Sequence, residues 1–100
     1  METAIKNVLP EIKSLLKKYG VESAWLFGSA AKQSLNEKSD VDFLIRFKDD
    51  IDYETYGNNY FELLYSLQDL LKKDVDLLAE ETLSNPFLIQ SINESKIRVL

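Results

Sequence analysis

An α/β protein is expected from this 100-residue chain, because short apolar runs of strand character are separated by longer segments whose apolar residues recur every three or four positions. The runs lie at Val21–Phe27, residues 40–47 and Val75–Ala79, and the helical spacing holds over residues 5–19, 60–71 and 86–94. Strands separated by helices ordinarily build a doubly wound parallel sheet. With 45% hydrophobic and 29% charged residues, the composition is that of one globular domain spanning residues 1–100.

In the first segment Ile5, Val8, Leu9, Ile12, Leu15, Leu16 and Tyr19 share one helical face, and Gly20 supplies the stop. Pro10 fits a first helical turn, so the helix either begins near Asn7 as N-cap or is kinked at Pro10. In the strand that follows, Trp25 and Phe27 point one way and Leu26 the other, and Trp25 is read as a core aromatic. Residues 29–35 suit a short helix, 36–39 a loop, and 40–47 a second strand.

Residues 50–59, with Gly57 and two asparagines as breakers, read as an irregular polar stretch. Leu63, Leu64, Leu67, Leu70 and Leu71 then mark a helix that ends at Lys72-Lys73, where cations complement the helix dipole. In Val75–Ala79 the residues Asp76 and Leu78 face one side and Val75 and Leu77 the other. Ser84-Asn85-Pro86 starts a last helix, with a capping side chain ahead of a first-turn proline, and residues 96–100 suit an edge strand.

The chemistry concentrates in residues 25–45. An apolar strand ends in Gly28-Ser29, ten residues intervene, and a second strand opens with Asp40-Val41-Asp42. Alternation sends Asp40 and Asp42 to one face and Val41, Phe43 and Ile45 to the other. Paired carboxylates repel, which raises one pKa, and a hard divalent cation with oxygen ligands resolves the conflict. Gly28 allows close backbone approach to a ligand, and N–H groups opening a helix suit phosphate. For any single aspartate a solvated strand end is the plainer reading, and Asp74 keeps it.

Gly28-Ser29 with Asp40-Val41-Asp42 at this spacing resembles the signature of the polymerase-beta-like nucleotidyltransferases, and the short chain resembles their minimal branch, MNT, whose genes often stand beside that of a HEPN-domain partner. Asp76, in Asp74-Val75-Asp76-Leu77-Leu78, matches the third carboxylate of that pattern. The resemblance implies an α+β nucleotidyltransferase fold in place of the doubly wound default: a small mixed sheet, helices mainly on one side, and the signature on adjacent strands at the sheet edge. It implies that Asp40, Asp42 and Asp76 are catalytic and hold two Mg2+ ions, with Mn2+ a substitute; paired metals of this kind stand about 3.5–4 Å apart. Gly28, Ser29 and Lys32 would bind the phosphates of ATP.

The implied activity is transfer of AMP to a hydroxyl of a HEPN toxin by its antitoxin, with a non-catalytic nucleotide-binding antitoxin as the alternative. The chain departs from the pattern after Gly28-Ser29, where many relatives carry arginine and this one has Ala30 and Ala31. Lys32 then offers a point charge in place of a bidentate phosphate contact.

Seventeen acidic against twelve basic residues, a net charge of −5, argue against direct nucleic-acid binding. The absence of cysteine and histidine excludes disulfides, thiol nucleophiles and a histidine base. No apolar run reaches membrane-spanning length, and the N-terminal residues lack a signal-peptide pattern, so a cytoplasmic protein is expected. A homo- or hetero-oligomer is compatible, since a partner chain is expected to supply the acceptor surface. The acidic, tyrosine-bearing stretch 49–60, read as mobile, is the candidate contact.

Overall fold

The computed structural model describes residues 3–28, 31 and 40–100. The short helix expected at 29–35 and the loop at 36–39 fall outside the described residues, apart from Ala31.

The single N-terminal helix expected from the sequence is two, α1 (Thr3–Asn7) and α2 (Leu9–Lys18). Asn7 closes α1 and caps nothing. Val8 is the N-cap of α2 without a side-chain bond, and Pro10 sits in the first turn, where its missing N–H costs no intrahelical bond. Gly20, at φ +82°, reverses the chain after α2, and its carbonyl accepts from Lys48 N–H at 3.0 Å.

Strand β1 (Val21–Phe27) runs antiparallel to β2 (Val41–Phe47), which runs parallel to β3 (Val75–Ala79); β4 (Ile97–Arg98) pairs antiparallel with the other side of β1. The order β3-β2-β1-β4 makes the sheet mixed, as the resemblance implies. One expectation needs correction: β1 and β2, which carry the signature, are adjacent but central, and only β3 of the three site strands lies at an edge.

Alternation divides the sheet into two unequal layers. Leu26, Val41, Phe43, Ile45 and Leu77 are buried on one face, against Ile12 and Leu16 of α2 and against Leu63 and Leu67 of α3 (Tyr53–Leu71). Phe27 and Leu44 point to the other face, which is covered by Ile92 of α4 (Pro86–Ser95). Helices therefore lie mainly on one side. Asn85 caps α4 as expected, its Oδ1 accepting from Phe87 N–H at 2.9 Å and Leu88 N–H at 3.4 Å.

The stretch read as irregular and mobile is the first half of α3. Asp52 caps the helix through Thr55 N–H at 2.7 Å. The helix then runs through Gly57, Asn58 and Asn59, because its inner face has partners: the Tyr56 ring lies 4.6 Å from that of Phe47, and Asn59 Nδ2 donates to Tyr19 O at 2.9 Å. Lys72 terminates it in the left-handed conformation, φ +56°. Among the described residues no helix is long and apolar enough to cross a membrane.

Candidate active site

The parallel register of β2 and β3 sets Asp42 opposite Asp76, and the antiparallel register of β1 and β2 sets Phe27 opposite Asp42. Both carboxylates leave the sheet on the face that α4 partly covers. Asp40 stands exposed just before β2, where the chain is tied to β3 by Val41 N–H donating to Asp74 O at 2.9 Å.

Crowding shows in the chemistry of Asp42. Partial burial, followed by the charges of Asp76 and then Asp40, raises its pKa to about 6. Each of these causes disfavours the anion. The Asp76 carboxylate also reaches Tyr60, whose pKa is raised by burial and then by that charge.

Gly28 follows β1 at φ +65°, and a Cβ there would collide with Oδ2 of Asp42. Two separate requirements thus converge on glycine: a left-handed backbone, and room for the Asp42 carboxylate. Ser29 and Lys32, expected to contact phosphate, lie outside the described residues.

Oxygen donors of like charge, aligned across two strands, suit a hard cation such as Mg2+. Among the described residues, however, Asp40, Asp42 and Asp76 are not drawn into a closed three-ligand cluster. Asp42 and Asp76 form the aligned pair, with Asp40 at the rim.

One pleat further along the same face lies Trp25, and here the sequence reading missed a feature. Lys96 Nζ stands 5.0 Å from the Trp25 ring centroid and the Arg98 guanidinium 5.9 Å. Trp25 does pack with Phe27 and Leu44, but its surface is overlaid by cations. The alternation Lys96-x-Arg98 beside an expected edge strand was the available signal.

The model of the family described as polymerase beta, nucleotidyltransferase matches residues 10–100. The chain belongs to this family. A "putative protein adenylyltransferase" of Methanocaldococcus jannaschii, MJ0128, is 42% identical over 96 residues, which cover 95% of this chain and 94% of that one. Among solved structures, a toxin–antitoxin with AMP-PNP superposes with a TM-score of 0.73 at 23% identity, covering 92% of this chain and 72% of the other. A tri-AMPylated Shewanella oneidensis HEPN toxin in complex with MNT antitoxin gives 0.67 at 22% identity, covering 95% and 71%. These structural likenesses establish the fold of a minimal nucleotidyltransferase. In this family member, the mixed sheet aligns Asp42 and Asp76, two of the three carboxylates expected from the sequence, in register.

Proposed function

We propose that this nucleotidyltransferase is a single-domain, cytoplasmic protein adenylyltransferase that moves AMP from ATP to a hydroxyl of a HEPN-domain partner, silencing it as its antitoxin. The observation that carries the reading is the register of Asp42 and Asp76 beside Gly28, whose left-handed backbone and missing Cβ leave room for the Asp42 carboxylate. Relatives named as protein adenylyltransferases, and a fold shared with an MNT antitoxin bound to an AMPylated HEPN toxin, support the acceptor class.

Asp40, Asp42 and Asp76 would hold Mg2+, which when bound supplies the charge that neutralises the triphosphate and acidifies the acceptor hydroxyl. The protein's own groups do the rest. Gly28 lets the backbone approach the phosphates, and Ser29 and Lys32 would bind them. Asp76 takes the proton as the acceptor oxygen bonds to the α-phosphorus, and the bond from that phosphorus to the bridging oxygen breaks to release pyrophosphate.

The test is pyrophosphate release and label transfer from α-labelled ATP, with and without a candidate HEPN-domain partner. Transfer that requires Mg2+ and is lost in Asp42→Asn is expected; transfer surviving that substitution overturns the assignment. A second reading, a nucleotide-binding antitoxin that acts by contact alone, is favoured by two observations. The three carboxylates are not closed into a cluster, and Ala30-Ala31 follow Gly28-Ser29, where the resemblance leads one to expect arginine. It predicts ATP binding and toxin silencing without release of pyrophosphate.

A further inference from the structure

Gly57 lies in the second turn of α3 without a structural reason to be glycine. Its φ is not positive, and a Cβ built on it meets nothing within 4 Å. Glycine is among the least favourable residues in a helix interior, so alanine here would strengthen the helix at no steric cost. What glycine does provide is space. It floors an apolar hollow of about 300 Å3 between α3 and the edge strand β3, walled by Phe61, Leu77, Ala79 and Thr82.

The rim is also unusual. Tyr53, Phe61 and Tyr65 follow Gly57's stripe at four-residue spacing and are 96%, 55% and 62% exposed, and the Phe61 and Tyr65 rings stack at 6.5 Å. Exposed large rings in a row beside an open hollow are characteristic of a protein-binding surface. Tyr56 and Tyr60, by contrast, are committed inward: Tyr60 Oη donates to Leu77 O, and the Tyr56 hydroxyl bonds to Glu81.

Charge identifies the occupant. Residues 49–82, which build α3, β3 and the turn after it that line the hollow, contain ten acidic residues and only two basic ones, Lys72 and Lys73. Glu54 and Glu62 stand exposed on α3 beside the stripe. Such a surface repels nucleic acid and attracts a cationic chain.

We infer that the hollow over Gly57 is a docking site for a basic protein segment, which anchors one large apolar side chain there and so brings the acceptor polypeptide to the Asp76 edge of the sheet. The inference deepens the function proposed above, on which it rests, by naming the acceptor's chemistry and point of attachment. Leu77 and Ala79 of the hollow belong to the same edge strand as Asp76 but face α3, so a segment anchored there lies at the sheet edge and reaches the Asp76 carboxylate by turning around that edge to the opposite face.

The test uses the full chain and a synthetic peptide with a central tyrosine flanked by leucines and then by paired lysines and arginines, with glutamate replacing every basic residue in a control. Amide shift changes in the protein should centre on Gly57, Phe61, Leu77, Ala79 and Thr82 with the basic peptide and be absent with the acidic one. Gly57→Leu and Phe61→Ser should each weaken binding about tenfold or more. Gly57→Ala should raise Tm by about 4–8 °C, which separates loss of the hollow from loss of the fold. Shifts elsewhere, equal binding of the acidic peptide, or unchanged affinity of both Gly57→Leu and Phe61→Ser would overturn the inference.

The two readings fail separately. Peptide binding at the hollow in a protein that transfers no AMP refutes only the catalytic function, and AMP transfer with shifts mapping elsewhere refutes only the docking site.

Discussion

At the scale of the residue, the site is governed by crowding. Strand alternation made the direction of Asp42 legible in the sequence, because Val41, Phe43 and Ile45 had to face the core. The left-handed Gly28 and its contact with Asp42 were not legible, since they depend on how β1 and β2 pair. Gly28→Ala forces φ +65° on a residue with a Cβ and pushes that Cβ into the carboxylate. It should cost at least about 1–2 kcal/mol in urea unfolding and weaken Mg-ATP binding. Asp42→Asn acts in the opposite sense on stability. With the Asp42 pKa raised from 3.8 to about 6, the folded protein holds the proton more tightly than the unfolded chain. Metal-free protein should therefore lose stability as pH rises from about 4 to above 6, and recover it on acidification. Asp42→Asn should abolish this dependence and be more stable at pH 7 by about 1 kcal/mol once solvent screening is allowed for. Denaturation midpoints across pH 4–8 check it. A pH profile unchanged by the substitution would mean that neither burial nor the neighbouring carboxylates raise the Asp42 pKa.

At the scale of the element, helices with strong local signals were read correctly and the one that depends on tertiary partners was not. The start of α4 is visible in Ser84-Asn85-Pro86 because the cap and the first-turn proline act locally. In α3 the breakers Gly57, Asn58 and Asn59 outweighed the capping pair Asp52 and Thr55, which was there to be read. What overrides the breakers is contact with distant residues: Phe47 beneath Tyr56, and Tyr19 O beneath Asn59. Near Val8 the sequence pointed to a start by Asn7 or a kink, within a residue of the observed cap, but α1 ahead of it was missed, since Pro10 restricts where α2 can start and does not say what precedes it. The α4 cap gives a clean test. Asn85→Ala removes the acceptor for Phe87 and Leu88 N–H and should cost about 1 kcal/mol in urea unfolding. Asn85→Asp should restore the loss, because aspartate keeps the accepting oxygen and adds a charge favourable at a helix N-terminus. Failure of aspartate to rescue would show that packing of the first turn matters more than the cap.

At the scale of the whole molecule, the two faces of the sheet are unequally built, and the candidate site lies on the weaker one. Three helices bury a continuous core on one face, including Ile12, Leu16, Leu63 and Leu67 with no exposed surface, whereas α4 covers the other mainly through Ile92 over Phe27 and Leu44. Periodicity foretold that each strand has two faces; it did not foretell which would be thickly covered, because that depends on the path of the helices between strands. Regions held by few buried apolar contacts open by local unfolding well below the global free energy. Amides of α4 and of Ile97 and Arg98 should accordingly exchange with deuterium through a sub-global opening, while those of β1, β2 and the second half of α3 exchange only with global unfolding. Truncating one side chain in each layer separates the two processes. Leu67→Ala, which leaves a cavity in the thick layer, should lower protection throughout by about 2–5 kcal/mol. Ile92→Ala removes the main contact between α4 and the sheet, so it should lower protection of α4 by a comparable amount while leaving α3 and β2 less affected. Equal loss everywhere in Ile92→Ala would show that both layers unfold as one cooperative unit, and the candidate site would then be as rigid as the core beneath it.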